Sequence, residues 1–275
     1  GHLGGGLLLA ILLGPHAAFL VIASVLVVQA LFFADGGIMA LGCNIFNLGF
    51  FPAFIAYPLI YKWIVREGIT TARLAVGTSL AAVVGLQLGA FGVVLETLAS
   101  GISSLPFTTF ILLMQPIHLA IGLVEGIVTA SVVSFVWKAN PQILEGPLAA
   151  QPSRPIPARY LAGLLLVAAL FTGSFLSWFA SSYPDGLEWS IAKVTGNGEL
   201  QGSSRFHSLM ASIQERTAFL PDYSFRAPEA GAFEEPQGGD EKLGTSVSGL
   251  VGGLFTLSMA FLVGFALKRL SIRGR

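Results

Sequence analysis

Charged residues are scarce in this chain of 275 residues. Asp, Glu, Lys and Arg together make up 11% of it, whereas hydrophobic residues make up 54%. A water-soluble domain usually has about a quarter of its residues charged. The composition therefore excludes an ordinary soluble domain and predicts an integral membrane protein.

Three further absences narrow the possible functions. The single cysteine, Cys43, allows no disulfide within the chain. The 15 basic residues are balanced by 15 acidic ones, which argues against a nucleic-acid partner because phosphate binding needs clustered positive charge. No G-x-x-x-x-G-K-S/T motif occurs, so the chain has no P-loop for ATP hydrolysis. If ATP drives a transport step, another subunit hydrolyses it.

Long apolar runs predict the topology. A helix needs roughly 20 apolar residues to cross about 30 Å of hydrocarbon. Six runs have about that length: residues 17–33, 38–61, 74–98, 107–137, 159–180 and 245–267. A further run, Leu3 to Leu13, is too short and stops at Gly14 and Pro15, which predicts a truncated or broken helix. The predicted fold class is therefore all-α, a polytopic bundle of about six membrane spans with a short broken first helix.

The basic residues predict the orientation of these spans. Two short connections, residues 34–37 and 100–105, carry none of them. Ten of the 15 lie in two alternate connections and at the C-terminus: Lys62, Arg66, Arg73, Lys138, Arg154, Arg159, Lys268, Arg269, Arg273 and Arg275. The positive-inside rule places these segments and the C-terminus in the cytoplasm, and His2 near the outer face.

A long polar segment, residues 183–244, separates the last two predicted spans and is expected to be an external loop. It carries ten acidic and five basic residues, a net charge of −5. Before the fifth span, residues 140–158 include prolines at positions 141, 147, 152, 155 and 157, which is typical of an extended linker. We therefore predict a first membrane block over residues 1–139, a cytoplasmic linker over 140–158, and a helix–loop–helix module over 159–275.

Ionisable side chains inside spans are costly, which makes each one a functional candidate. His118 and Glu125 are seven residues apart, two helical turns, so they share one face of a helix. They are interpreted either as a structural polar pair or as the lining of a cavity. Asn44 and Asn47 lie three residues apart on another span, where hydrogen bonding across helices is the favoured role of Asn47.

Two other motifs have competing interpretations. Asp35 lies in A-D-G-G, and Asp-Gly is typical of a tight turn, which we favour over a direct metal role. Ser79 in G-T-S-L-A, with His118 as its base, would suit an intramembrane hydrolase. However, Ser79 lies near the inner end of its span, and His118 lies about 16 Å from the outer end of its own. Contact between them is not expected.

Three segments resemble one family in order and spacing over residues 1–140. They are GHLGGGLLLAILLGP, QALFFADGGIMALGCNIFNLG and HLAIGLVEGIVTA, and they are similar to the cobalt and nickel transport family CbiM/NikM, the substrate-binding component of energy-coupling factor transporters. The later module resembles the accessory component CbiN/NikN, two helices around an external loop. Its PDGLEWS, residues 184–190, resembles the PDGLE signature. Read alone, Pro-Asp-Gly predicts a turn followed by a helix start.

The resemblance implies a nitrogen-rich, roughly square-planar metal site. An N-terminal amine and a following histidine would bind the ion together with a later histidine, which His2 matches. Such ligands suit Ni(II) or Co(II) rather than Mg²⁺ or Ca²⁺, and they do not choose between nickel and cobalt. The other ligands are expected on an N-terminal segment outside this sequence. Four residues are expected to support the site or line the route without binding the ion: Asp35, Asn44, His118 and Glu125.

The resemblance also implies the biological setting. It implies a subunit that takes up Ni²⁺ or Co²⁺ through a bacterial inner membrane, with the ion as substrate and no cofactor or catalytic residue. Its partners would be a transmembrane coupling (T) component and ATPase subunits, so the chain itself is not expected to be an enzyme. The acidic accessory module would assist loading of the ion. Two alternatives remain open, an intramembrane hydrolase using Ser79 and His118, and an assembly subunit that binds no ion.

Overall fold

A computed structural model describes residues 3–101, 106–146, 156–179, 186–195, 205–225 and 238–273. Over these ranges the chain is mostly helical and contains no strand, which confirms the predicted all-α class. The longer helices are α1 (Gly6–Leu13), α2 (Pro15–Phe33), α3 (Ile38–Val65), α4 (Thr71–Ala99), α5 (Phe107–Ala139), α6 (Ala158–Ser174), α7 (Gly186–Thr195), α8 (Arg205–Thr217) and α9 (Gly238–Arg273).

Five of these helices are long and apolar enough to cross a membrane: α2, α3, α4, α5 and the stretch Lys242–Leu270 of α9. They confirm five of the six predicted spans, and the chain is a multi-pass membrane protein. The sixth is shorter than predicted, because α6 has 17 residues and a 3₁₀ turn, Leu176–Phe179, follows it. Near its end, the hydroxyls of Thr172 and Ser174 donate to carbonyls four residues earlier, a pattern that weakens regular helix.

The first apolar run is a broken helix, as one of its two interpretations predicted. Helix α1 ends where Gly14 adopts φ +86°, a conformation that favours glycine. Pro15 then begins α2, a position where its missing N–H costs nothing. Leu7 and Ala10 of α1 are fully buried, so this short helix is part of the protein core rather than a separate span.

The described residues form two compact units. Unit 1 is built from residues within 1–22, 42–163 and 181–202, and unit 2 from residues within 23–41, 164–180 and 203–275. Unit 1 contains α1, α4, α5, α7 and most of α3, together with the first parts of α2 and α6. Unit 2 contains α8 and α9, the later parts of α2 and α6, and the first four residues of α3.

In unit 1, α4 and α5 pack at backbone distance. A Cβ added to Gly122 would lie 2.9 Å from Val83 Cα, and one added to Gly126 would lie 2.6 Å from Ser79 Cα. Both are closer than real Cβ contacts allow. The small-residue positions on these helices therefore serve internal packing.

The sequence pattern predicted an extended linker over residues 140–158, but part of this segment is helical. Residues Gln142–Glu145 form a short helical turn, which Pro141 can begin because helix starts tolerate proline. The Ile156 N–H donates to Ala139 O at 3.0 Å, and Asn140 Nδ2 donates to Ile156 O at 3.2 Å. The two ends of the segment therefore meet, while residues 147–155 lie outside the described ranges.

Candidate functional site

Glu125 anchors the glycine segment at the start of the described chain. Its side chain is only 4% exposed, and its Oε2 accepts the Gly4 N–H at 2.7 Å. The Gly5 N–H interacts with the same carboxylate. Paired backbone donors stabilise a buried carboxylate that apolar surroundings would otherwise disfavour. His2, the predicted metal ligand, precedes Gly4 by two residues and lies outside the described residues.

The glycines beside this contact have specific conformational roles. Gly5 adopts φ +68°, which directs the chain into α1. A Cβ on Gly6 would lie 3.0 Å from Leu48 O and 3.1 Å from Pro52 Cβ. The glycine-rich run therefore places the backbone against α3 and brings two N–H groups to Glu125.

His118 does not contact this anchor directly. Its Nδ1 lies 2.8 Å from Met114 O in the preceding turn of α5. Because a carbonyl oxygen only accepts hydrogen bonds, Nδ1 carries the proton, and in the neutral ring Nε2 keeps a free lone pair. The side chain is half-buried, two turns from Glu125 on the same helix.

Asn47 links α3 to α4, as the sequence predicted. Its Nδ2 donates to Glu96 Oε2 at 2.6 Å, and its side chain is 3% exposed. A Cβ on Gly92 would collide with Asn47 Oδ1, so a glycine is needed there to accommodate the amide. Asn44 is half-buried and forms no side-chain hydrogen bond with any residue that the structure describes.

Asp35 is engaged by other side chains within unit 2. Its Oδ2 accepts hydrogen bonds from the Tyr223 hydroxyl and, at 3.1 Å, from Gln29 Nε2. Gln29 Nε2 also donates to Tyr223 Oη at 2.9 Å. Burial, and then the negative charge of Asp35, raise the pKa of Tyr223. The phenol therefore stays protonated and continues to donate at neutral pH.

Ser79 and His118 are not brought together as a hydrolase would need. Ser79 lies against Gly126 of α5, eight residues from His118 along the helix. This separation corresponds to about 12 Å at 1.5 Å per residue. Gln115, close to His118, instead exchanges hydrogen bonds with the backbone at Gln87: Gln87 Nε2 donates to Gln115 O at 2.8 Å, and Gln115 Nε2 donates to Gln87 O at 3.3 Å.

Comparison with known proteins now identifies the architecture. A family model described as CbiM, the cobalt uptake substrate-specific transmembrane region, matches residues 1–143. This chain belongs to that family. A second family model, the PDGLE domain, matches residues 159–269. The chain is thus a CbiM-family block fused to a CbiN-like module.

Two of the curated relatives described here are fused proteins, and a third matches about half of the chain. A fused nickel transport protein NikMN from Archaeoglobus fulgidus is 32% identical over 281 residues, covering 98% of this chain and 77% of that protein. A fused nickel transport protein NikMN from Rhodobacter capsulatus is 29% identical over 221 residues, covering 74% of this chain and 61% of that protein. A cobalt transport protein CbiM from Sorangium cellulosum is 34% identical over 149 residues, covering 52% and 64%. No solved structure matches the chain.

The CbiM-family block contains polar residues that the sequence interpretation missed. Glu96, Gln87 and Gln115 all link helices, and each stands inside an apolar run, a signal that could have identified them. Among the residues that the structure describes, no three His, Cys, Asp or Glu side chains cluster as a metal site would require. The metal-ligand prediction therefore depends on His2 and stays a prediction.

Proposed function

We propose that this chain is a membrane subunit that binds Ni²⁺ or Co²⁺ for uptake into the cell, with His2 as a metal ligand. The observation that carries the proposal is the hydrogen bond from Gly4 N–H to the buried carboxylate of Glu125. It fixes the backbone two residues after His2. A ligand on a fixed backbone is better preorganised than one on a free segment, and outer contacts of this kind commonly govern metal affinity.

The chemistry of imidazole supports a transition metal as the substrate. Nitrogen ligands suit Ni²⁺ and Co²⁺ and discriminate against Mg²⁺ and Ca²⁺, which prefer oxygen. Relatives carry names that include nickel and names that include cobalt. The same nitrogen ligands accept either ion. Glu125 and His118 support the site or line the route rather than bind the ion directly.

Energy for uptake would come from other subunits. The sequence has no P-loop, and the resemblance to energy-coupling factor transporters implies a transmembrane T component and ATPase subunits as partners. The distribution of basic residues supports a cytoplasmic C-terminus and an extracytoplasmic polar segment in the cell membrane. We further propose a permease block over residues 1–139, a linker over 140–158 and an accessory module over 159–275 that assists loading.

Calorimetry on the purified full-length protein tests the metal-binding role. His2→Ala should abolish tight binding of Ni²⁺ and Co²⁺ because imidazole nitrogen is lost from the coordination sphere. The matched control is His16→Ala, since His16 is exposed and packs edge-on against Phe54. That variant should bind like the wild type.

Two results would contradict this proposal. Unchanged affinity in His2→Ala would remove His2 from the metal site. Failure of the wild-type protein to bind either ion would favour an assembly subunit instead. Uptake by cells should also require the coupling and ATPase subunits, and transport by this chain alone would exclude the proposed energy source.

A further inference from the structure

In unit 2, the chain from Gln29 to Ile38 forms a sharply folded surface, here called the 29–38 bend. Helix α2 ends there in a π-helical turn, Gln29–Phe33. Ala34 and Gly36 both adopt positive φ angles, +55° and +69°, and the Asp35 N–H donates back to Gln29 O at 3.2 Å. The Gly36 carbonyl and the Ile38 N–H need partners from outside the bend. Within the bend, Gln29 supplies one donor to the Asp35 carboxylate, which can accept further hydrogen bonds.

Residues of the polar segment supply those partners. Gln214, on α8, donates from Nε2 to Gly36 O at 3.1 Å and accepts the Ile38 N–H on Oε1 at 3.5 Å. The Leu220 N–H lies 3.4 Å from Phe32 O and donates to it. One amide side chain and one backbone group therefore satisfy three backbone groups of the bend.

Aromatic rings cover the apolar side of the same bend. Phe33 is 2% exposed and stacks on Tyr223, with 5.1 Å between ring centroids and 22° between ring planes. Phe32 lies 5.8 Å from Phe219 and 5.0 Å from Phe255 of α9. Burial of these rings favours association of the bend with residues 219–223 and α9, while the ring geometries restrict the orientation of that contact.

Tyr223 combines both kinds of contact, because its ring stacks on Phe33 and its hydroxyl donates to Asp35. A phenylalanine at position 223 would keep the apolar contact but leave the Asp35 carboxylate with one fewer donor. This hydrogen bond is partly buried. Removing one partner of such a bond leaves the other without its donor, and this penalty makes the pair a specificity determinant.

We propose that the 29–38 bend is a docking surface by which the first membrane block recognises the CbiN-like module. The partner is the aromatic segment 205–225, with the Tyr223 hydroxyl as donor to Asp35. Asp35 is then a recognition residue rather than a metal ligand. In a fused chain, this contact fixes the bend and the aromatic segment relative to each other, although Asp35 and Tyr223 are 188 positions apart in sequence.

Cleavage of the full-length chain between the modules tests this docking. A site-specific protease sequence is inserted within residues 148–154, and the chain is cleaved in detergent while bound through a C-terminal tag. The N-terminal fragment should stay bound in the wild type. Tyr223→Phe should lower the retained fraction about five-fold or more because the carboxylate loses one of its two donors. Tyr160→Phe, which removes an exposed hydroxyl of α6, should retain the fragment fully.

Cysteine cross-linking tests the same contact in intact membranes. In a Cys43→Ser background, Phe32→Cys combined with Leu220→Cys places two thiols on residues joined by a backbone hydrogen bond. Both side chains belong to one hydrophobic cluster, so oxidation before cleavage should join the two fragments covalently. Equal retention of wild type and Tyr223→Phe, or absence of the cross-link, would overturn the proposal. Both readouts measure assembly rather than transport, so they are independent of the proposed function.

Discussion

The two units hold their membrane helices by different means. In unit 1, 44% of the most apolar 18-residue stretch of α4 is buried. The backbone of α5 comes close to the backbone of α4 at Gly122 and Gly126. In unit 2, only 6% of the corresponding stretch of α9 is buried, and aromatic rings and the Asp35 contact connect its parts. Close backbone packing tolerates no added volume, whereas a few polar side chains are sensitive to the loss of single atoms.

The largest expected effect comes from adding volume in unit 1. Gly126→Leu would place a Cβ 2.6 Å from Ser79 Cα. Relieving this clash requires one of the two helix backbones to shift, which costs free energy of folding. We expect a loss of about 3 kcal/mol in the free energy of unfolding, the upper range for overpacking. Thermal unfolding in detergent measures it.

A matched substitution in α9 sharpens this contrast. Gly253 has open space where a Cβ would be added, so Gly253→Leu should leave the thermal midpoint close to that of the wild type. Similar losses in both variants would show that close packing does not distinguish the two units.

A smaller effect is expected from a polar contact inside unit 1. Asn47→Ala removes the donor to Glu96 and should lower the free energy of unfolding by about 1–3 kcal/mol, since the partner carboxylate loses a hydrogen bond. Asn44→Ala is the control, because Asn44 forms no side-chain hydrogen bond within the described ranges. Equal midpoints for the two variants would refute a stabilising role of the Asn47–Glu96 bond.

The smallest effect concerns pH dependence in unit 2. Burial and Asp35 raise the pKa of Tyr223, whose ordinary value is about 10. The stabilisation from its protonated hydroxyl is therefore fully present below that value and is lost as the pH rises through the raised pKa. The difference in thermal midpoint between wild type and Tyr223→Phe should shrink at strongly alkaline pH. A difference that stays constant would contradict this assignment.

Local sequence patterns predicted the helices better than their partners. The apolar runs located five spans, and Gly14-Pro15 marked the break between α1 and α2, because span length and helix termination depend on neighbouring residues. The short end of α6 was not predicted, since apolar composition continues beyond it. The helices of the polar segment were also missed apart from the start of α7 at PDGLE.

Contacts between distant residues explain most of the remaining differences. Glu125 was identified as a costly residue inside a span, but its backbone partners at Gly4 and Gly5 lie more than a hundred positions away. Asp35 was predicted to form a turn, yet its partner Tyr223 belongs to the other module. Side-chain spacing along one helix contains no information about such pairs.

The metal affinity of Glu125 variants tests the central claim most directly. Calorimetric titration of Ni²⁺ and Co²⁺ would compare the wild-type protein with Glu125→Ala and Glu125→Gln, and with Glu96→Ala as the carboxylate control. Glu125→Ala should bind at least about ten-fold more weakly, as is typical when a supporting contact of a metal ligand is lost. Glu125→Gln keeps an oxygen acceptor for Gly4 and should stay within about three-fold of the wild type, as should Glu96→Ala. Wild-type affinity in Glu125→Ala would contradict the claim that this carboxylate positions the metal-binding segment.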